Sequence, residues 1–326
     1  MNFIVKYSMQ DLGDRPMSFA QSFAPPVDQE FYDLDPVWGP NSYPARESVD
    51  AGAPPWKDHI YLAFWDVANE AYGFFHWNSS PNHETTKAQL NLMIKGKSFD
   101  LREPLPARAS RFDSNSIKFD MKSEIVIDHP RLQGRLILAP RRGPIDFGSG
   151  GSIPRYQDQE PLQHFQHPLT MTGFFVLDGV TYPIAALGYR TRTWGYRDDS
   201  IQFPEYYYLW VTTDDFDIAV IKHLHPDGSQ RTGGGIISDA GTIPVVDVHI
   251  PKDIAGFAIE TRYDLADGTE LVLGDQRRLW GGWCPIGLPR RDGPTFSAFD
   301  EILEVRTANG AIGYGQSEYG FVRRVH

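Results

Sequence analysis

The chain of 326 residues carries a formal net charge of −11. That balance disfavours a surface that tracks phosphates, and no cluster of Lys and Arg forms a local basic patch, so no nucleic-acid partner is expected. The single cysteine, Cys284, excludes an intrachain disulfide and any zinc site built from several thiolates; between Trp283 and Pro285 it reads as a small buried thiol.

Residues 1 to about 57 open with one short apolar triplet, Phe3-Ile4-Val5, which lacks the apolar core of a signal peptide. Breakers follow, as in Ala24-Pro25-Pro26 and Ala53-Pro54-Pro55, and neither helical nor strand periodicity lasts, which predicts an irregular wrap. Nowhere does an apolar run approach the ~18 residues of a membrane span. A cytoplasmic protein with no membrane span is the expectation.

Alternation dominates beyond the wrap. Leu90, Leu92 and Ile94 interleave with Gln89, Asn91 and Met93, and Ile117, Phe119 and Met121 with Lys118, Asp120 and Lys122, the period of half-buried strands. Breakers crowd Ala139-Pro140-Arg141-Arg142-Gly143-Pro144 and Gly148-Ser149-Gly150-Gly151-Ser152, so a domain boundary is expected near residue 160, dividing 1–160 from 161–326. In the second half Asp178-Gly179, Asp227-Gly228, Asp267-Gly268 and Asn309-Gly310 sit between β-branched or aromatic runs, as tight hairpin turns do. Tyr206 to Val211, Ile218 to His225, Phe257 to Tyr263 and Glu270 to Leu273 then read as antiparallel strands. The expected class is all-β, with two barrels fitting the length and a propeller as the alternative.

Two histidine pairs stand out, His164-Phe165-Gln166-His167 and His223-Leu224-His225. The second puts both rings on one strand face, which can begin a metal site. Further ligands are not evident, so no metal is expected. Tyr206, Tyr208 and Trp210 share one face of their strand, with Tyr207 and Leu209 opposite, and either set can wall a ligand or fill a core. Phosphate-loop, nucleophile-elbow and HExxH signatures are absent, and Gly233-Gly234-Gly235 is not followed by a helix pattern. An enzyme of this sequence is expected to work without a cofactor.

The densest charge lies in Gly188-Tyr189-Arg190-Thr191-Arg192-Thr193-Trp194-Gly195-Tyr196-Arg197-Asp198. Arginine in so apolar a context needs carboxylates, carbonyls or a ligand to satisfy its donors, so the segment is either a solvated sheet edge or the polar floor of a pocket. The stretch resembles the Gly-x-Arg/His-Asp-His-Ser/Asn-Trp-Gly motif, often followed by x-Arg-Asp, of the two-domain lipocalin-like proteins related to hydroxyneurosporene synthase, the carotenoid 1,2-hydratase, and of the AttH-like group. Gly188, Arg190, Trp194, Gly195 and Arg197-Asp198 match. His164-Phe165-Gln166 resembles a His-Phe-Glu segment of that family, and Gly313-Tyr314-Gly315-Gln316-Ser317-Glu318 its closing Gly-x-Gly-x-x-Glu. Gln166, Thr191 and Arg192 stand where the family tends to have Glu, Asp and His, which removes groups able to donate a proton.

The resemblance implies two packed lipocalin/calycin-like antiparallel β-barrels, with an apolar pocket at the second-domain motif. It further implies a hydratase, or a cofactor-free cyclase of the Diels–Alderase type, acting on an apolar isoprenoid, steroid-like or polyketide small molecule. Arg190, Arg192, Trp194, Asp198 and Glu318 are then the expected reacting set, with Asp198 orienting an arginine and Glu318 transferring a proton. His164, His167, Tyr206, Tyr208 and Trp210 are expected to contact substrate. A non-catalytic carrier of a hydrophobic ligand is the alternative, and the sequence does not fix the oligomeric state.

Overall fold

The computed structural model describes residues 56–78, 86–105, 113–120, 123–148, 150–284 and 292–324. Ten strands form one antiparallel sheet: β1 (Trp56–Asp66), β2 (Ala71–Asn78), β3 (Lys87–Ile94), β4 (Lys97–Pro104), β5 (Ile117–Phe119), β6 (Glu124–His129), β7 (Leu132–Pro140), β8 (Ile145–Asp146), β9 (Gln163–Leu177) and β10 (Val180–Tyr196). Their order is β4-β3-β2-β1-β10-β9-β7-β6-β5, with β8 beside β9, so the sheet curls without closing: a half-barrel with β4 and β5 at its edges. One short helix, α1 (Asp199–Gln202), leads into β11 (Glu205–Thr212), β12 (Phe216–Leu224), β13 (Gln230–Ser238), β14 (Gly241–His249), β15 (Thr261–Leu265), β16 (Glu270–Cys284), β17 (Thr295–Thr307) and β18 (Ile312–Arg323). These eight close into a barrel through the β11–β18 pair.

The all-β expectation holds, and the turn dipeptides are its local cause. Asp178 and Gly179 adopt φ of 49° and 81°, the left-handed pair that matches the twist of a two-residue hairpin, and they join β9 to β10. Asp227-Gly228, Asp267-Gly268 and Asn309-Gly310 turn β12, β15 and β17 back on β13, β16 and β18.

Three expectations change. β9 and β10 follow residue 160 yet pair with β7 and β1 of the first sheet, so strands change sheet between Tyr196 and Glu205. The breaker-rich stretch before 160 runs from the end of β7 towards β9 and, among its described residues, carries the short β8. Phe257–Glu260 lies ahead of β15 and contributes no ladder strand, because the chain first turns at Asp253, whose carboxylate accepts from the N–H groups of Ala255 and Phe257. The expected wrap lies outside the described residues apart from Trp56 and Lys57, which begin β1; Met121 is likewise outside them.

Three apolar layers result. Ile60, Leu62, Phe64, Phe75, Trp77, Leu90 and Phe175 fill the half-barrel. Tyr207, Leu209, Val211, Val220, Tyr263 and Val305 fill the closed barrel. Between them Tyr61, Trp65, Phe74 and Tyr189 from the sheet meet Tyr206, Tyr208, Trp210, Phe296 and Ile302 from the barrel wall. β1 is buried along its whole length because both of its faces are covered, so its polar residues must find partners inside the protein. Among the described residues no helix is long and apolar enough to cross a membrane.

Candidate active site between the sheet and the barrel

Strand alternation divides the charged motif. On β10 the even residues Arg190, Arg192 and Trp194 share the half-barrel face with Ile184 and Ala186, while Tyr189, Thr191 and Thr193 face the barrel. Both guanidiniums are fully buried, as their apolar context requires, and the protein supplies their partners. Arg192 forms an ion pair with Asp58, donates to the carbonyls of His59 at 3.1 Å and Thr193 at 3.2 Å, and lies over Trp194 at 5.3 Å. Trp194 in turn stacks on Phe165. Arg190 Nη2 is 3.3 Å from His167 Nδ1, and His167 Nε2 is 2.7 Å from the Arg142 carbonyl. A neutral His167 protonated on Nε2 satisfies both contacts.

Asp198 caps α1 by accepting from the Ser200 N–H at 3.0 Å. Its neighbour Asp199 is the buried carboxylate that pairs with Arg197 and, at 3.3 Å, with Lys57. The expected reacting set is therefore not brought together: Arg190, Arg192, Trp194 and His167 lie on one face of the sheet, Asp198 caps the helix, and Glu318 lies on the barrel wall.

Glu318 has different company. Asp300 on β17 is directly opposite it, and Tyr208 on β11 is opposite on the other side. The two carboxyls face each other across the β17–β18 ladder, and Asp300 Oδ1 is buried without a hydrogen-bond partner among the described residues. Tyr206 donates to Glu318, and its ring lies over Gly320, where a Cβ would come within 2.3 Å of Tyr206 Cε1 and Cζ. Tyr61 on β1 reaches across from the sheet to donate to Asp300 Oδ2 at 2.8 Å. Gln316 donates to the Tyr61 oxygen at 2.7 Å and accepts from Tyr189 at 2.9 Å. Sheet and barrel are thus joined by a buried polar chain that ends on a pair of acids.

Burial and the neighbouring Glu318 charge hold Asp300 well above the usual carboxylate range, and burial raises Glu318 as well. Two opposed carboxyls in a dry layer do not both ionise; they titrate as a pair and retain a proton where ordinary carboxyls have lost theirs. Burial also raises the phenols of Tyr61, Tyr189 and Tyr206, so they stay protonated and can donate.

The imidazoles here are neutral for the same reason. Burial, reinforced by Arg197, lowers His164 to about 3, and burial lowers His59, His76 and His223 well below the usual histidine value. His164 Nδ1 is 2.9 Å from Thr193 Oγ1, and His223 Nε2 is 3.0 Å from the Tyr208 hydroxyl. His59 Nδ1 and His76 Nε2 share a hydrogen bond of 3.0 Å. Whichever ring donates, one of the two outer nitrogens, His59 Nε2 and His76 Nδ1, is left a donor and the other an acceptor. Both are buried without a hydrogen-bond partner among the described residues, as are His223 Nδ1 and the indole N–H groups of Trp65 and Trp210. Native proteins leave few buried polar atoms unmatched, so five ring nitrogens in one layer are open to atoms of a ligand or to water.

Of the expected contacts, His164, Tyr206, Tyr208 and Trp210 meet in this layer, together with Glu318 of the expected reacting set, and Trp210 stacks on Tyr189 at 5.0 Å. The face with Tyr206, Tyr208 and Trp210 lies outside the barrel, against the sheet; Tyr207 and Leu209 point inward. Sequence reasoning gave no role to Asp300, Tyr61, Tyr189, Gln316 or His59. The signal for Asp300 was present: it alternates with the apolar Phe296, Ala298 and Ile302, and folding the chain about a three-residue loop, Ala308-Asn309-Gly310, puts it opposite Glu318. Cys284 is buried and free, as expected, and burial pushes its thiol up. No group of three or more His, Cys, Asp or Glu able to hold a metal occurs among the described residues.

Solved structures share this architecture. Kievitone hydratase from Nectria haematococca aligns over 81% of this chain and 89% of its own at 11% identity, with a TM-score of 0.55. CghA with Sch210972 aligns over 84% and 90% at 12% identity and a TM-score of 0.59. An AttH-like protein from Nitrosomonas europaea aligns over 84% and 95% at 13% identity and a TM-score of 0.52. At such identities the likeness is one of fold, and it agrees with the resemblance read from the motifs. No curated protein matches the sequence. A family model covers residues 44–323, nearly all of the fold just described, and the chain belongs to that family, described as Domain of unknown function (DUF7064).

Proposed function

We propose that the layer between half-barrel and barrel is the active site of a cofactor-independent lyase or isomerase of hydratase or cyclase type. Its substrate is a largely apolar small molecule that bears oxygen. The carrying observation is the opposed pair Asp300 and Glu318, buried together between sheet and barrel and addressed by Tyr61 and Tyr206; such a pair would keep a proton where isolated carboxyls are ionised. Protonation by a positioned acid is the opening step of alkene hydration and of many cyclisations. In a hydration the pair gives its proton to one alkene carbon, water adds to the other, and the water's proton returns to the carboxylate. Tyr189, Trp210, Trp65 and Phe74 would wall the apolar body, while the open indole and imidazole nitrogens would meet its oxygens. The kievitone hydratase and CghA structures, of the same fold, support this reading.

Glu318, His164, Tyr206, Tyr208 and Trp210 keep their proposed roles beside the substrate. Arg190, Arg192, Trp194, His167 and Asp198 are proposed to set the register and rigidity of β10, and so the position of Tyr189. The test is incubation with a panel of polyenes and prenylated phenols, read by mass spectrometry. The reading expects gain of one water or a same-mass isomer, lost in Asp300→Asn and Glu318→Gln. A ligand that binds and is returned unchanged makes the protein a carrier and overturns it.

A further inference from the structure

The closed barrel has a split in its wall. β13 and β14 pair only from Gly235↔Pro244 to Ser238↔Gly241; Gln230–Gly234 and Val245–His249 make no ladder with each other. The sequence supplies the cause. Pro244 has no N–H to continue the ladder. Opposite it runs Gly233-Gly234-Gly235, with Gly234 at φ 126°, where a Cβ would come within 2.0 Å of the Ala219 carbonyl oxygen. β14 then bulges between Val245 and Asp247 and leaves with β15.

Side chains span the split where backbone does not. Lys222 Nζ donates to Asp247 Oδ1 at 2.9 Å and to the Val248 carbonyl at 2.8 Å, and Thr232 Oγ1 donates to the same Asp247 oxygen at 2.8 Å. An ammonium has three N–H donors, so one remains beyond these two bonds. A cleft of about 410 Å³ opens here, lined by Tyr207, Lys222, Leu224, Val248, Ile250 and Pro251 among others. That volume lies within the range of about 300–1,000 Å³ of small-molecule sites. Lys222 and Leu224 alternate with Ile221 and His223, which face the sheet, so the cleft is on the lumen side of β12, across the wall from Asp300 and Glu318. Tyr206 is the lining residue that also reaches the acid pair.

We propose that this split is a second ligand site, which takes a single-chain amphiphile. Its hydrocarbon lies against Leu224, Val248, Ile250 and Pro251, and a terminal carbonyl or carboxylate oxygen accepts from Lys222. The lysines of the cleft are matched, Lys222 by Asp247 and Lys252 by Glu205. Recognition is therefore by apolar fit and one hydrogen bond rather than by net charge.

The test titrates the full chain with 11-(dansylamino)undecanoic acid and, separately, with its methyl ester, following dansyl emission. Saturable binding of either probe is expected, weakened about tenfold or more by Leu224→Trp, which fills the cleft, and unchanged by Asp300→Asn. Lys222→Met should weaken whichever probe binds, and the acid-to-ester ratio tells carboxylate from ester recognition. Circular dichroism spectra matching the parent show that each variant is folded; Ile250→Trp, on the opposite rim, is the second filling variant. Absence of saturable binding overturns the proposal. So does binding that both Trp variants leave intact or that Asp300→Asn abolishes. Failure here leaves the acid-pair chemistry standing, because that chemistry is read by product mass.

Discussion

Gly320→Ala tests how Tyr206 is held against Glu318. The added methyl would sit 2.3 Å from Tyr206 Cε1 and Cζ and 2.7 Å from Phe296 Cζ. The ring has little room to retreat, since it is 2% exposed, lies 4.3 Å from the Tyr208 ring centroid and stacks on Phe296 at 5.5 Å. Overpacking of a filled core costs about 1–3 kcal/mol. Swinging the phenol away also breaks a buried hydrogen bond to a carboxyl, on the order of 1.5–3 kcal/mol. The expected loss is therefore about 2.5–6 kcal/mol, large against the whole stability of an ordinary domain. Urea denaturation is the assay, run on Gly320→Ala, Tyr206→Ala and the double variant. With the ring gone the methyl should cost less than ~1 kcal/mol, giving a strong interaction energy in the cycle. A single-variant cost below ~1 kcal/mol, or one equal in both backgrounds, would refute the reasoning.

Asp300→Asn should change how stability depends on pH. Because Asp300 is raised in the folded protein, the unfolded chain loses this proton first, above about pH 4. Wild-type stability accordingly falls with rising pH, by about 1.4 kcal/mol per pH unit, until the folded-state value is passed. The variant's relative stability should climb across that window, and a difference flat from pH 4 to 8 contradicts the assignment. Lys87 runs the other way: burial lowers it from 10.5 to about 8, so the folded state gives up its proton first and stability rises between those values. Lys87→Met should remove that rise and add up to about 3 kcal/mol at neutral pH, as urea midpoints from pH 7 to 11 would show. Arg192→Met leaves Asp58 buried without its ion pair and should cost about 3–5 kcal/mol; an unchanged melting temperature would argue against a structural role.

Local chemistry made the hairpins legible: Asp178-Gly179 and its three counterparts specify turns whatever surrounds them. Alternation likewise showed that Tyr206, Tyr208 and Trp210 act as a set. Which way a set faces is a long-range matter. The parity of β10 follows from its register with β1, more than a hundred residues earlier, so the need of Arg190 and Arg192 for partners was readable while the face they occupy was not. The boundary expected near 160 and the change of sheet between Tyr196 and Glu205 lie apart for the same reason: Pro and Gly mark where a strand stops and say nothing of which sheet takes the next one. Glu318 was found through its motif. Its partner Asp300 belongs to no motif and required the hairpin to be folded on paper.

The central claim is a proton kept by Asp300 and Glu318 between the two sheets. Infrared difference spectroscopy of the resting protein at pH 7, comparing wild type with Asp300→Asn and Glu318→Gln, reads it directly. A protonated-carboxyl C=O band, present in the wild type and lost or displaced in both variants, is the predicted result. Two fully ionised carboxylates at that pH would contradict the account.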